Sequence, residues 1–245
     1  MIWSVLLSIA LAGPLAKAGP DLSDARVRLA TQLDVLDTML ENGMAEQALA
    51  MIGEMHKQGA KDARIDIAKG RAMHQRGLDH DAERVLREVT KKYPGRAEGW
   101  AQLGVLLADV GQVPEAVTSL KRAARLAPSD AGIANNLGFV LLAQGDAEGA
   151  VDALRDALEL EPAATRTRNN LGFALVRLDR YDEAMETFRA AAGEESDARY
   201  NFGAACEAAG DRPAAITAYE RAISIRPGHS QAVPALSRIL KETNK

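Results

Sequence analysis

Apolar side chains recur along most of this 245-residue chain at spacings of three and four residues, which places them on one face of an α-helix. The first such stripe consists of Leu29, Leu33, Leu36 and Leu40. Gly43 is predicted to end that helix, because glycine readily takes the left-handed conformation that closes one. The pattern therefore predicts a chain built from short helices.

The pattern becomes a repeat over residues 97–164, where eight positions can be compared with those 34 residues later and only the first changes class, from Trp to Ala. The first copy holds Trp100, Leu103, Gly104, Leu107, Ala116, Leu120, Ala123 and Pro128. The second copy holds Ala134, Leu137, Gly138, Leu141, Ala150, Leu154, Ala157 and Pro162. Self-similarity at this period predicts a stack of identical supersecondary units, each burying the apolar face of its neighbour.

Glycine and proline mark the limits of the predicted helices. A glycine recurs where most first helices should end: Gly43, Gly77, Gly111, Gly145 and Gly210. A proline recurs just after most second helices: Pro94, Pro128, Pro162 and Pro227. The small residues inside the helices, such as Gly104 and Ala116, should let the two helices of a unit approach closely. Each unit is therefore predicted to be a pair of helices.

This repeat resembles the tetratricopeptide repeat, a helix-turn-helix unit. The resemblance implies an all-α, right-handed superhelical solenoid of about six units, with a lead-in at 19–28 and a capping helix over 230–245. The units are expected at about 29–62, 63–96, 97–130, 131–164, 165–195 and 196–229. The fifth unit lacks three residues near 193–196, so a tighter connection and a local change in superhelical twist are expected there.

Residues 1–18 are predicted to be a secretory signal peptide. An apolar run at 2–12 precedes Ala16, Lys17 and Ala18, an A-x-A cleavage pattern, although no basic residue precedes the run. The run is shorter than the roughly 20 residues that a stable membrane span needs. A periplasmic or secreted protein without a membrane span after signal removal is therefore expected. A cytoplasmic protein is the alternative.

Composition narrows the range of functions. The formal net charge is -4 and is spread along the chain, so a nucleic-acid partner is not expected. The single cysteine, Cys206, excludes an internal disulfide and is expected to be buried and inert. The four histidines are not at metal-ligand spacing and are expected at the surface. A cluster of methionines in the first unit predicts core packing, or alternatively a soft docking face.

No catalytic motif is present: the chain has no P-loop, no GxGxxG and no GxSxG. We therefore expect no catalytic residues, no metal and no cofactor, and predict that the protein is not an enzyme.

In the tetratricopeptide family the first helices line a concave groove, and the resemblance places a ladder of asparagines there. Asparagine is both a donor and an acceptor, so a ladder can bond the backbone of an extended peptide whatever its sequence. The residues predicted to contact a peptide are Asn135, Asn136, Phe139, Arg166, Asn169, Asn170, Phe173, Tyr200 and Asn201. The alternative is that the asparagines support only local helix contacts.

A second mode known in the family, the clamp that binds the carboxylates of chaperone tails, is not matched. The clamp positions in the third to fifth units hold Ala101, Val105, Asn136, Arg166 and Asn170. Only the middle asparagine and one basic residue agree, so a chaperone-tail adaptor is disfavoured.

Two functions follow from these observations. The first is a non-catalytic scaffold that binds an extended segment of a partner protein in its groove, outside the cytoplasm. The second is a structural protein that self-assembles into a homo-oligomer. A cytoplasmic co-chaperone-like adaptor is a further alternative.

Overall fold

The computed structural model describes residues 25–243, which form thirteen α-helices and contain no strand. This confirms the predicted all-α class. The predicted signal peptide, residues 19–24 of the lead-in and residues 244–245 of the capping segment lie outside the described residues. The chain divides into two compact units at Gln112 and Val113, a boundary that falls inside the predicted third repeat.

The helices follow the predicted order of pairs, with short connections. The first unit contains α1 (Ala25–Glu41), α2 (Ala45–Lys57), α3 (Ala63–Gln75), α4 (Asp79–Lys92) and α5 (Ala97–Asp109). The second unit contains α6 (Val113–Leu126), α7 (Ala131–Gln144), α8 (Ala147–Leu160), α9 (Thr165–Arg177), α10 (Tyr181–Ala191), α11 (Glu195–Ala209), α12 (Arg212–Ile225) and α13 (Ala232–Thr243).

The core of the first unit is formed where α1, α2 and α3 meet. Leu36, Ile52 and Ile65 are almost fully buried there. The methionines of this region belong to the same core: three are buried and Met44 is partly buried against them. Their placement is that of core-filling residues, since an unbranched thioether adapts to irregular space.

In the second unit, each first helix packs on its own second helix and on the first helices of its neighbours. Thus α9 contacts α7 and α11 as well as α8 and α10. The predicted close approach is present within these pairs. A Cβ added to Gly172 would lie 2.5 Å from Cζ of Phe188, and one added to Gly138 would lie 2.5 Å from Cγ of Leu154. Only glycine fits at such crossings.

The turns within the helix pairs contain the predicted left-handed glycines, with φ of +71° at Gly43 and +91° at Gly145. The fifth pair is different. Asp179 occupies the position 34 residues after Gly145 and adopts a φ of 56°. Short polar residues such as aspartate tolerate this conformation better than other L-residues. Its carboxylate also accepts a hydrogen bond from the Tyr181 hydroxyl at 3.1 Å.

The three-residue deletion in the fifth repeat shortens a helix as well as a turn. Helix α10 has 11 residues, whereas α8 has 14. Residues 192–194 connect α10 to α11, whereas residues 161–164 connect α8 to α9. The expected tighter connection is thus present, and most of the deletion is taken up by the end of α10.

The last helix begins at Ala232, two residues later than expected. Ala232 and Ile239 are fully buried, while Val233 is 44% exposed and Leu240 is 40% exposed. The helix therefore covers the preceding pair and carries apolar side chains on its outer face as well.

The expectation of surface histidines is wrong for His229, which is 1% exposed. Its Nδ1 accepts the backbone N–H groups of Gln231 and Ala232, at 3.3 Å and 3.2 Å. Its Nε2 lies 3.0 Å from Oδ1 of Asp197, outside hydrogen-bonding alignment. The ring also packs on Tyr200 with 5.4 Å between ring centroids. A histidine that caps a helix from inside the core cannot be identified from metal-ligand spacing.

His74 is half-buried in the first unit and lies between two carboxylates. Its Nδ1 is 2.7 Å from Oδ1 of Asp79, and its Nε2 is 2.9 Å from Oδ2 of Asp109. Burial alone would lower the pKa of His74, but the two carboxylates outweigh burial and raise it. The ring thus links α3 to α4 and α5.

Candidate functional site

The predicted asparagine ladder lies on three first helices that contact one another in turn. Asn136 is on α7, Asn170 on α9 and Asn201 on α11, and α9 packs against both neighbours. Each asparagine immediately precedes the leucine or phenylalanine that adjoins the crossing glycine. The repeat therefore places the three amides at one equivalent position of successive helices.

The structure separates these three residues from the ones that precede them. Consecutive helical residues are turned by about 100°, so the two members of each pair cannot share a face. Asn135 is 6% exposed and its Oδ1 accepts a hydrogen bond from Nδ2 of Asn170 at 2.9 Å. One repeat further on, Asn201 donates to Oδ1 of Asn169 at 3.4 Å. Asn170 of α9 is thus bonded to α7, and Asn201 of α11 is bonded to α9.

Tyr200 occupies the same position as Asn135 and Asn169 in its own repeat. Its ring lies between Tyr219, at 5.8 Å between centroids, and His229, at 5.4 Å. The structure therefore places Tyr200 in the packing of α11 against α12 and the start of α13.

The two phenylalanines differ in exposure. Phe139 on α7 is 51% exposed. Phe173 on α9 is half-buried, with its ring 6.0 Å from that of Phe188 in an edge-to-face contact. Phe139 is thus the more accessible of the two apolar groups.

Arginines lie at both ends of the α9 stripe. Arg166, Asn170, Phe173 and Arg177 follow one another at i, i+4, i+7 and i+11, which places them on one face of the helix. Nη2 of Arg166 donates to Oδ1 of Asn136 on α7 at 3.3 Å, and Nη1 of Arg177 donates to the carbonyl of Ala208 on α11 at 3.5 Å. Sequence reasoning missed Arg177, although the same helical spacing identifies it.

We call these seven residues the first-helix face: Asn136, Phe139, Arg166, Asn170, Phe173, Arg177 and Asn201. Among the described residues, no protein group bonds Nδ2 of Asn136 or the Oδ1 atoms of Asn170 and Asn201. The face thus presents one amide donor and two amide acceptors. The backbone of an extended peptide carries the complementary groups.

Charged groups beside this face are already engaged within the protein. Asp197, four residues before Asn201, is ion-paired with Arg226 and lies against His229. Burial alone would raise the pKa of Glu207, but hydrogen bonds from Arg238 and Tyr219 outweigh it and lower the pKa. These acids help to hold α11, α12 and α13 together.

The remaining chemistry of the described residues is sparse. Cys206 is fully buried, and burial raises its pKa to about 12, so its thiol stays protonated at neutral pH. Within residues 25–243 there is no cluster of three or more His, Cys, Asp or Glu side chains arranged to hold a metal ion. Nor does any helix in that range combine the length and apolarity needed to cross a membrane.

A pocket of about 600 Å³ also lies in the second unit, between the start of α10, α11 and α12. Tyr181, Phe202 and Ala218 contribute its apolar lining, and Arg199 and Arg221 are among its polar residues. The hydroxyl of Tyr181 is held by Asp211 at 2.9 Å, so the ring has a fixed orientation.

Comparison with known proteins agrees with this architecture. Family models described as tetratricopeptide repeat match residues 80–131, 141–204 and 196–229. None of the curated proteins matches the chain significantly.

Three solved structures illustrate the similarity of fold. YrrB, described as a TPR protein with an unusual peptide-binding site, is 22% identical, with a TM-score of 0.59 over 75% of this chain and 96% of YrrB. MamA from Desulfovibrio magneticus RS-1 is 25% identical, with a TM-score of 0.55 over 66% of this chain and 92% of that one. A chain of the APC/C hetero-tetramer Cut9–Hcn1 is 20% identical, with a TM-score of 0.66 over 97% of this chain and 46% of that one.

Proposed function

Because the chain belongs to the tetratricopeptide repeat family, we propose that it is a non-catalytic scaffold outside the cytoplasm that binds an extended segment of a partner protein. The segment lies on the first-helix face of the second unit. The observation that carries this proposal is the set of amides at one equivalent position of α7, α9 and α11, each with an atom that no described residue bonds.

The polar atoms of the face suit a peptide backbone. Oδ1 of Asn170 and Oδ1 of Asn201 accept N–H groups of the segment, and Nδ2 of Asn136 donates to a carbonyl. Because these bonds involve the backbone, they tolerate many sequences. Phe139 adds apolar contact, which favours a segment with a non-polar side chain at that point. YrrB, a structural neighbour described as having a peptide-binding site, supports this use of the fold.

The test is capture of the partner by variants of the face. Asn136→Ala combined with Asn170→Ala should abolish capture of the dominant partner that co-purifies with the tagged protein from its native host. Thr118→Ala combined with Thr217→Ala is a matched control, since both threonines are exposed on second helices and bond only their own helix. Circular dichroism should show the same helical content for all variants. Capture by the face variant at the level of the control would refute the assignment.

Phe139 allows a second, apolar comparison. Phe139→Ala should weaken capture, whereas Leu160→Ala should not, because Leu160 is comparably exposed but lies on a second helix. Equal loss in the two variants would point to a general effect of surface apolarity instead of the first-helix face.

The location is tested separately. Sequencing the N-terminus of the protein purified from its native host should find Gly19 as the first residue, and fractionation should place the protein outside the cytoplasm. An intact Met1 with cytoplasmic partners would overturn export and favour a cytoplasmic adaptor.

Self-assembly is the second candidate, and the exposed Val233 and Leu240 on α13 favour it. Light scattering over a concentration series distinguishes the two. A strict monomer excludes self-assembly, whereas a stable oligomer disrupted by Val233→Asp would support it.

A further inference from the structure

The two arginines of the first-helix face lack the acidic partners that seven other arginines of the second unit have. Seven arginines form ion pairs with Asp or Glu: Arg155, Arg180, Arg189, Arg199, Arg212, Arg226 and Arg238. Among the described residues, Arg166 and Arg177 have no carboxylate within 4.0 Å; they contact an amide oxygen and a backbone carbonyl. The positive charge of each guanidinium is therefore not balanced by a neighbouring acid, and several of its N–H donors are available to another group.

Both arginines are on α9, and their side chains are already restrained by contacts with the neighbouring first helices. Arg166 extends towards α7 and Arg177 towards α11, so the guanidinium groups are held on either side of α9. A side chain that is restrained before binding loses less conformational entropy when a ligand binds it. The arrangement favours recognition of carboxylates, which guanidinium groups bind with two parallel hydrogen bonds.

No described acid cancels this charge on the face. The corresponding stripe of α7 consists of Gly132, Asn136, Phe139 and Ala143, and that of α11 of Asp197, Asn201, Ala204 and Ala208. Asp197 is the one acid on the three stripes, and its carboxylate is already paired with the guanidinium of Arg226. The face is therefore positive on a chain whose formal net charge is -4.

We infer that the first-helix face selects an acidic segment of its partner, with two carboxylates bound by Arg166 and Arg177. This inference rests on the proposed function and specifies the chemistry of the partner. The negative chain repels an acidic segment elsewhere, whereas these arginines attract it, so charge directs the partner to this face.

The helix geometry also sets the spacing of the two acids. Arg166 and Arg177 are eleven residues apart, which corresponds to about 16 Å along a helix that rises 1.5 Å per residue. An extended chain advances about 3.3 Å per residue. For a segment that runs along α9, two acidic side chains five residues apart therefore match the axial separation of the Cα atoms of Arg166 and Arg177.

The probe is a set of three labelled twelve-residue peptides of Ser, Ala and Thr, identical except at positions 4 and 9, which are both Glu, both Gln or both Lys. Binding to the full chain is measured by fluorescence anisotropy. The Glu peptide should bind at least tenfold more tightly than the Gln peptide, and the Lys peptide should not bind saturably. Raising the salt concentration should reduce the preference for Glu, because exposed charges are screened.

Variants assign the preference to the two arginines. Arg166→Gln combined with Arg177→Gln should remove it, and the corresponding Lys variants should retain part of it, since lysine keeps the charge but not the planar fork. Arg122→Gln combined with Arg125→Gln is the matched control, because both residues are exposed on the second helix α6. This control should bind like the unmodified chain.

Three outcomes would overturn the inference. Equal binding of the Glu and Gln peptides would refute charge selection while leaving groove binding intact. A Glu preference that survives in the Arg166 and Arg177 variants would place the recognition elsewhere. Failure of all three peptides would show that two carboxylates at this spacing are insufficient. The proposed function itself is judged by capture of the native partner with the asparagine variants, so the two failures are distinguishable.

Discussion

The close crossing of α9 and α10 makes an unusual prediction for a glycine-to-alanine change. A Cβ at Gly172 would lie 2.5 Å, 2.6 Å and 2.8 Å from Cζ, Cε1 and Cε2 of Phe188. The Phe188 ring is fully buried and has edge-to-face contacts with Phe173 and Phe202. It therefore has no space into which it can move. Gly172→Ala should destabilise the protein.

Two opposing effects set the size of the loss. Alanine stabilises a helix interior by about 1 kcal/mol relative to glycine. Overpacking a filled core costs about 1–3 kcal/mol, and the upper end applies because a flat, enclosed ring cannot change rotamer. The expected net loss is therefore about 2 kcal/mol. Gly53→Ala is the control, since Gly53 is inside α2 and an added Cβ would meet nothing within 4 Å. It should stabilise by about 1 kcal/mol.

Urea unfolding followed by circular dichroism measures both effects. A double-mutant cycle with Phe188→Ala tests the contact directly: the combined loss should be smaller than the sum of the single losses, because the new methyl occupies part of the space the ring leaves. If Gly172→Ala stabilises the protein as much as Gly53→Ala does, the helices do not cross as closely as described and the reasoning fails.

Three further predictions concern single residues. Because the pKa of His74 is raised, its contribution to stability is fully present below the unfolded pKa of about 6.5 and is lost as pH rises through the folded value. The free energy of unfolding should therefore fall more between pH 6 and pH 9 for the unmodified chain than for His74→Gln. Equal decreases would contradict this role. Cys206 should resist a thiol reagent in the native state and react only on unfolding, since it is fully buried with a pKa of about 12; rapid native labelling would show an accessible thiol. Asp179→Gly should stabilise by about 0.5–1 kcal/mol in thermal unfolding, because glycine takes a positive φ without steric cost; a loss would mean that the bond to Tyr181 outweighs the backbone strain.

The helix pairs and their turns follow from the sequence because their signals are local. Apolar spacing places the helices, and Gly43 and Gly145 mark turns whose φ values are positive. Asp179 shows the limit of a residue-type rule. The fold requires a residue in the left-handed conformation there, but an aspartate alone does not predict one. Only the 34-residue register identifies the position.

The sequence predicts which positions of the candidate site are equivalent from repeat to repeat, but not which of those residues are buried in helix packing and which remain on the first-helix face. Sequence comparison groups Asn135 with Asn136, yet helix geometry directs one into the packing and leaves the other on the first-helix face. Likewise, Tyr200 and His229 are far apart in sequence, and their contact arises only when α11 meets the start of α13. Tertiary packing decides such burial, so local pattern cannot.

The bonds from Asn170 to Asn135 and from Asn201 to Asn169 also bear on how the first helices can move. If α9 slid by one turn, it would travel about 5.4 Å. Oδ1 of the buried Asn135 would then lose its donor, at a desolvation cost of about 1–3 kcal/mol. The hydrogen bonds between these asparagine side chains therefore oppose sliding of one first helix past the next. A partner segment would therefore find the asparagines of successive first helices at a fixed spacing. A force that pulls one helix along its axis would be resisted by the neighbouring helices before the binding residues lost their alignment.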